Sequence, residues 1–182
     1  MSRKPLLLIA ILLVAQLAFG QQTGEPVTTV FLIRHAERAD EPRQDPPLTE
    51  KGTARSQDLA RLLSAAGIKA IYTSQYARTK LTAEPLAKQL GITPTALSLK
   101  LNPSNPRQIA EESTKETVDK ILSHGGGSVL VVGHSNSIPD VIQMLGADAA
   151  PTIDEKKFDD LFVVTVYGKG KAKVTHLKYG PE

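Results

Sequence analysis

Val27-Thr28-Thr29-Val30-Phe31-Leu32-Ile33 runs directly into Arg34-His35-Ala36-Glu37, and Ser128-Val129-Leu130-Val131-Val132 runs into Gly133-His134-Ser135-Asn136. Both runs are continuously apolar and rich in β-branched residues. That is the pattern of a strand buried on both faces, as in a parallel sheet covered by helices. Between them the apolar period changes. Residues 49–66 place Ala54, Leu59, Ala60, Leu62, Leu63 and Ala66 at helical spacing, and Gly67 ends the helix. Residues 68–73 read as a second strand, and residues 74–90 as a helix with a break or kink before Pro85, closed by Gly91. A third strand is expected over 95–99. Asn105-Pro106-Arg107-Gln108 offers an N-cap, a first-turn proline and a Gln at N3, so a helix is expected from there to about Ser123. A short helix over 138–145 follows the fourth strand, and 162–166 and 171–177 flank Gly168-Lys169-Gly170 as a C-terminal hairpin. Strands alternating with helices predict a three-layer α/β/α fold with a mainly parallel central sheet.

The chain has 182 residues, 41% hydrophobic and 23% charged, which is the balance of a folded domain. It has no cysteine, which excludes a disulfide framework, thiolate metal sites, Fe–S clusters and a cysteine nucleophile. Ser2-Arg3-Lys4 followed by an apolar run to Phe19 and the exit Ala18-Phe19-Gly20 describes a secretory signal peptide cleaved before Gln21. A retained N-terminal anchor is the alternative, although the run is shorter than the ~20 residues of a spanning helix. The expected organisation is therefore a leader over 1–20 and one domain over 21–182, exported to the periplasm or the medium. The formal charge is +3, and the leader accounts for two basic residues and no acidic ones. No block of like charge remains to suggest a nucleic-acid partner, and no stable membrane association is expected after cleavage.

In parallel α/β sheets ligands sit beyond the carboxyl ends of the strands. The first strand delivers Arg34 and His35 there, the second delivers Ser74 with Arg78 one helical turn on, and the fourth delivers His134. Each residue alone reads as an ordinary loop or surface residue; four on one rim read as a site. Arginines clamp phosphoryl oxygens and neutralise transition-state charge. A neutral imidazole can attack phosphorus, and a second, protonated one adds positive charge beside the transferring group. None of these roles requires a metal or another cofactor, and no Asp/His/Cys cluster at metal-ligand spacing accompanies the histidines.

Arg34-His35-Ala36-Glu37 after a hydrophobic strand resembles the Arg-His-Gly/Ala motif of the histidine phosphatase superfamily, whose fold is phosphoglycerate mutase-like. Leu48-Thr49-Glu50-Lys51-Gly52, Tyr72-Thr73-Ser74-Gln75-Tyr76-Ala77-Arg78-Thr79 and Val131-Val132-Gly133-His134 agree with the same family in order and spacing. The resemblance implies that His35 is the phosphorylated nucleophile and His134 the second catalytic histidine. It also implies that Arg34 and Arg78 complete the phosphate pocket. The variant Arg-His-Ala-Glu-Arg at 34–38 is similar to exported bacterial members acting on envelope phosphates.

One departure concerns the general acid. Many members carry a Glu in a Leu-x-Glu context after the third strand, where this chain reads Leu99-Lys100-Leu101-Asn102-Pro103. Glu37, Glu111 and Glu112 are the carboxylates left to consider. The short phosphohistidine phosphatases of the superfamily resemble this chain in lacking an obvious acid, which favours good leaving groups such as a histidine nitrogen. The leading expectation is a metal-independent phosphatase acting on a small phosphorylated substrate or a phosphoprotein. A mutase and a non-catalytic phosphate-binding module are the alternatives, with export weighing against the mutase. His124 with Gly125–Gly127 reads as a helix stop, His176 as a surface or packed residue, and Ser135 and Asn136 as capping residues or substrate contacts. Tyr72 and Tyr76 are candidate pocket-lining residues.

Overall fold

The computed structural model describes residues 26–180. The expected leader and its cleavage point lie outside the described residues. In chain order the elements are β1 (Thr28–Arg34), α1 (Glu50–Leu63), β2 (Ile68–Ser74), α2 (Ala77–Leu90), β3 (Thr95–Leu97) and β4 (Leu101–Asn102). They continue with β5 (Asn105–Ile109), α3 (Glu111–Leu122), β6 (Gly127–Gly133), α4 (Ile138–Met144), β7 (Asp160–Gly168) and β8 (Lys171–Lys178).

Six strands form one sheet in the order β3-β2-β6-β1-β7-β8. β1, β6, β2 and β3 run parallel, and β7 and β8 add an antiparallel edge. Side chains alternate across the sheet, so each strand supplies both cores. Val30, Leu32, Val129 and Val131 pack on one face with Ile121 of α3 and Ile142 of α4. Ile33, Leu130, Val132 and Ile71 pack on the other with Leu59 of α1 and Leu86 of α2. This is the expected three-layer α/β/α architecture, and its C-terminal hairpin turns at the expected glycines.

Two local expectations are corrected. The helix expected from Asn105 is the second strand of a β4–β5 hairpin, and α3 begins only at Glu111. The Asn102 and Asn105 carboxamides accept from the Ser104 and Arg107 backbone N–H groups at 2.9 and 3.2 Å. These Asx turns, each two residues on, compete with the capping bond, and the pairing of Leu101 with Ile109 completes the hairpin. The second correction is Pro85, which lies inside a continuous α2. The apolar face of that helix, Ala83, Leu86 and Ala87, is anchored in the core on both sides of the missing N–H. α2 also starts at Ala77 rather than Ser74, because β2 continues through Ser74, and β3 ends at Leu97, two residues short of the expected strand.

Candidate active site

The register of the sheet assembles the site. Arg34 and Gly133 are paired partners of the parallel strands β1 and β6, and the His35 N–H donates to the Gly133 carbonyl at 2.9 Å. The two strands therefore release His35 and His134 side by side, with ring centroids 5.3 Å apart in an edge-on arrangement. β2, on the other side of β6, ends at Ser74 and hands over to α2, whose first turn carries Arg78. The Ala36 N–H donates to Thr82 Oγ1 at 2.9 Å, and the Thr82 hydroxyl donates to the Arg78 carbonyl at 2.7 Å. The His35 loop and the Arg78 helix are thus one unit. All four residues singled out in the sequence, Arg34, His35, Arg78 and His134, line one cleft of about 630 Å³.

The hydrogen bonds set the tautomers. His35 Nδ1 lies 2.8 Å from the Ala36 carbonyl oxygen, which can only accept, so Nδ1 carries the proton and Nε2 keeps its lone pair. His134 is oriented by a relay. The Thr79 hydroxyl donates to the Tyr76 carbonyl at 2.9 Å and so accepts from Ser74 Oγ, also at 2.9 Å. Ser74 Oγ in turn accepts from His134 Nε2 at 2.9 Å, which leaves Nδ1 as the unprotonated nitrogen of the neutral ring.

Both rings are held neutral. Burial pushes the His35 pKa down to about 4, and the Arg34, Arg78 and Arg38 charges push the same way against the Ala36 bond. Burial likewise brings His134 to about 3, with His35, Arg78 and Arg34 adding to it. The expectation of a protonated second histidine is therefore corrected for the free site. The arginines already supply the positive charge, and a dianion among them would raise both histidines.

Arg34 is fixed by its Nη1, which donates to the carbonyls of Asp154, Glu155 and Lys157 at 3.2, 2.5 and 3.1 Å. Its guanidinium stacks over Phe158 with the carbon 4.2 Å from the ring centre, and Arg78 stacks over Tyr76 at the same distance. The Nε–H groups of both arginines are buried and donate to nothing in the protein. Buried charged donors in that state call for an anion.

The carboxylates left open by the sequence now separate. Glu37 is held by Arg55, with Nε–Oε2 at 2.9 Å and Nη2–Oε1 at 2.8 Å. Glu111 and Glu112 are exposed on α3 and line no part of the histidine cleft. The cleft has one carboxylate, Glu155, among the described residues. Sequence reasoning missed it because Asp154-Glu155-Lys156-Lys157 reads as a solvated charged loop. It also passed over Arg38, whose only signal was its place at the end of Arg-His-Ala-Glu-Arg, and Arg107, which was read as a helix residue.

The motif 48–52 closes against the same loop. The Thr49 hydroxyl accepts from the Gly52 N–H at 3.1 Å to cap α1, and the Thr49 N–H donates to the Glu37 carbonyl at 2.9 Å. A Cβ on Gly52 would lie 2.1 Å from that carbonyl oxygen, so no larger residue fits without moving the loop. Among the residues read as structural, His124 Nε2 meets the Tyr72 hydroxyl at 2.7 Å, and neither residue lines the cleft. His176 stacks on Phe162 and bonds to Asp160 at 2.6 Å. Tyr76 and Asn136 line the cleft as expected of candidates, and Tyr72 does not.

The sequence model of the histidine phosphatase superfamily (branch 1) matches residues 30–102. Probable phosphoglycerate mutase GpmB of Cronobacter sakazakii is 41% identical over 68 residues, a match spanning 34% of this chain and 32% of that protein. A phosphoglycerate mutase from Bacillus anthracis superposes with a TM-score of 0.65 at 20% identity, covering 86% of this chain and 95% of that one. The protein histidine phosphatase SixA, solved with tungstate, gives 0.65 at 21% identity over 82% of this chain and 96% of that one.

Proposed function

We propose that this chain, a member of the histidine phosphatase superfamily, is a metal-independent phosphatase that hydrolyses phosphomonoesters or phosphohistidine through a phospho-His35 intermediate. The superfamily comprises phosphatases and mutases, so an enzyme of phosphoryl transfer is the common ground. The observation that carries the reading is the free Nε2 lone pair of a neutral His35, set among arginines with unused buried donors. In the first step Nε2 attacks phosphorus, the bond to the leaving group breaks, and its electron pair leaves with that group. Arg34, Arg78 and Arg38 hold the equatorial oxygens as charge spreads over them. Glu155, when protonated, is the cleft carboxylate able to protonate an alkoxide leaving group. In the second step water attacks the phosphorus of phospho-His35, the P–N bond breaks, orthophosphate leaves, and the proton of water passes to Glu155.

Hydrolysis of a chromogenic phosphomonoester by wild type and His35→Ala, with and without EDTA, tests this reading. Turnover unaffected by EDTA and reduced at least about a thousandfold by the substitution is expected. Label from a radioactive phosphoryl donor should be acid-labile and absent in His35→Ala; acid-stable label would overturn the covalent route. The mutase alternative draws on the 41% identical segment shared with GpmB. It predicts transfer to a second hydroxyl of the product rather than release of orthophosphate, and export weighs against it. Export itself is also proposed, on the leader-like residues 1–20; amino-terminal sequencing of the protein from the periplasm should begin at Gln21.

A further inference from the structure

We propose that Phe158 is a positioning residue. Its ring and the carbonyls of its own segment clasp Arg34, so that a guanidinium gripping the phosphoryl group is tied to the loop that carries Glu155. The inference rests on the phosphatase reading and adds to it how one of the arginines is held. The Nη1 end of Arg34 is taken up by the Asp154, Glu155 and Lys157 carbonyls, 120 to 123 residues further along the chain. One face of the guanidinium lies against Phe158, with its carbon 4.2 Å from the ring centre. The carbonyls fix where the group sits within its plane, and the ring fixes the plane itself. Nε is buried and donates to nothing in the protein, so it is a donor that the clasp leaves for an anion. The same ring stands 6.0 Å from the His35 ring, centre to centre.

The segment is built to present these groups. Asp154 to Lys157 is a tight turn: the Asp154 carbonyl accepts from the Lys157 N–H at 3.0 Å, and its carboxylate accepts from the Lys156 N–H at 2.9 Å. Before the turn, Ile153 is buried in the core that α3 and α4 share with the sheet. After it, the Asp159 carbonyl accepts from the Tyr179 N–H at 2.9 Å and β7 begins at Asp160. Glu155, at the second position of the turn, lines the cleft. The charge that binds phosphoryl oxygens and the carboxyl that protonates a leaving oxygen therefore share one support. A side chain that merely filled the space beside Arg34 could be any apolar group of like volume. A ring that serves as the face for a cation cannot be replaced in that way.

Calorimetric binding of orthophosphate, with kcat/KM on glycerol 3-phosphate and p-nitrophenyl phosphate, separates these roles in wild type, Phe158→Leu, Phe158→Met and Phe158→Tyr. Thermal melts establish which variants are folded; Leu and Met are two independent ringless replacements, and Tyr keeps the ring. The ringless variants should bind orthophosphate about tenfold more weakly, the order of one desolvated cation–π contact, and Phe158→Tyr should stay within about twofold of wild type. Turnover of the ringless variants should fall on both esters, and about tenfold further on glycerol 3-phosphate, whose alkoxide needs the Glu155 proton. That excess should vanish when Glu155→Gln is already present. Orthophosphate affinity unmoved by loss of the ring, Phe158→Tyr behaving like the ringless variants, or equal losses on the two esters would overturn the clasp, while His35-dependent turnover left the phosphatase reading standing. Absence of orthophosphate binding by wild type would overturn it too. If wild type turns over neither ester, the phosphatase reading falls and the orthophosphate series alone decides the clasp.

Discussion

Replacing Glu37 by Ala removes the carboxylate from a guanidinium that the fold has taken out of water. The Arg55 side chain is 3% exposed and that of Glu37 is 15% exposed. Their contact comprises Nε to both carboxylate oxygens, at 3.2 and 2.9 Å, and Nη2 to Oε1 at 2.8 Å. Breaking one side of a buried ion pair costs about 3–5 kcal/mol. Arg55 keeps its Nη1 bond to the Tyr179 carbonyl at 2.8 Å, and Glu37 is not wholly buried, so the low end applies, about 3 kcal/mol. For a domain of this size that is a fall in Tm of about 6–12 °C. The sign with pH follows from the carboxyl. Burial, the largest single influence, would raise its pKa, but the Arg55 hydrogen bonds, a backbone hydrogen bond and the Arg55 and Lys51 charges together outweigh it and hold the carboxyl below the usual range. The stabilisation is therefore complete above the unfolded-state pKa and is lost as pH falls through the folded one. Urea unfolding of wild type and Glu37→Ala at pH 7 and pH 3, with Glu37→Met/Arg55→Met as the paired change, measures all of this. The single change should cost about 3 kcal/mol at pH 7 and less at pH 3, and the double change should cost less than the single. A cost under about 1 kcal/mol at pH 7, or one indifferent to pH, would refute the argument.

Other expectations concern the site and its supports. Because His35 and His134 are buried with pKa values brought down to about 4 and about 3, the unfolded chain takes up protons below pH 6.5 that the folded chain refuses. Stability should fall by about 1–2 kcal/mol per histidine between pH 6.5 and 5, and His134→Asn should remove its share, as read by urea midpoints. Glu155→Gln should lower kcat on glycerol 3-phosphate by about a hundredfold and on p-nitrophenyl phosphate by only a few-fold, because an aryl oxide leaves without a proton. An equal loss on both would remove Glu155 from the acid role. Gly146→Ala should destabilise by about 2–4 kcal/mol in thermal melts: its φ is +99° and a Cβ there would lie 2.1 Å from the Gly170 carbonyl carbon.

Much of this site was legible because it hangs from strand ends. An uninterrupted β-branched run announces a buried parallel strand, and the residue after it is placed by the sheet, so His35, His134 and Arg34 could be located from the chain alone. Arg78 followed from one helical turn after β2. Legibility stopped at residues positioned by irregular backbone. The same Asn-Pro-Arg-Gln that satisfies every local rule for a helix start forms a strand, since pairing of Leu101 with Ile109 and docking on Asn136 are non-local. Arg107 was misplaced with it. Glu155 was invisible because its loop is folded over the site by carbonyl contacts to Arg34, which no side-chain pattern encodes.

The pairing of Arg34 with Gly133 across β1 and β6 makes the spacing of the His35 and His134 rings a dimension of the sheet, set by the pitch between neighbouring strands. The β4–β5 hairpin and the loop around Glu155 belong to no part of that sheet. The histidine pair and one wall of the cleft are thus carried on separable mechanical parts, a rigid gauge and interchangeable jaws. Exchange of residues 98–110 for a hairpin of another composition becomes a way to reshape the cleft that leaves His35 and His134 at their spacing.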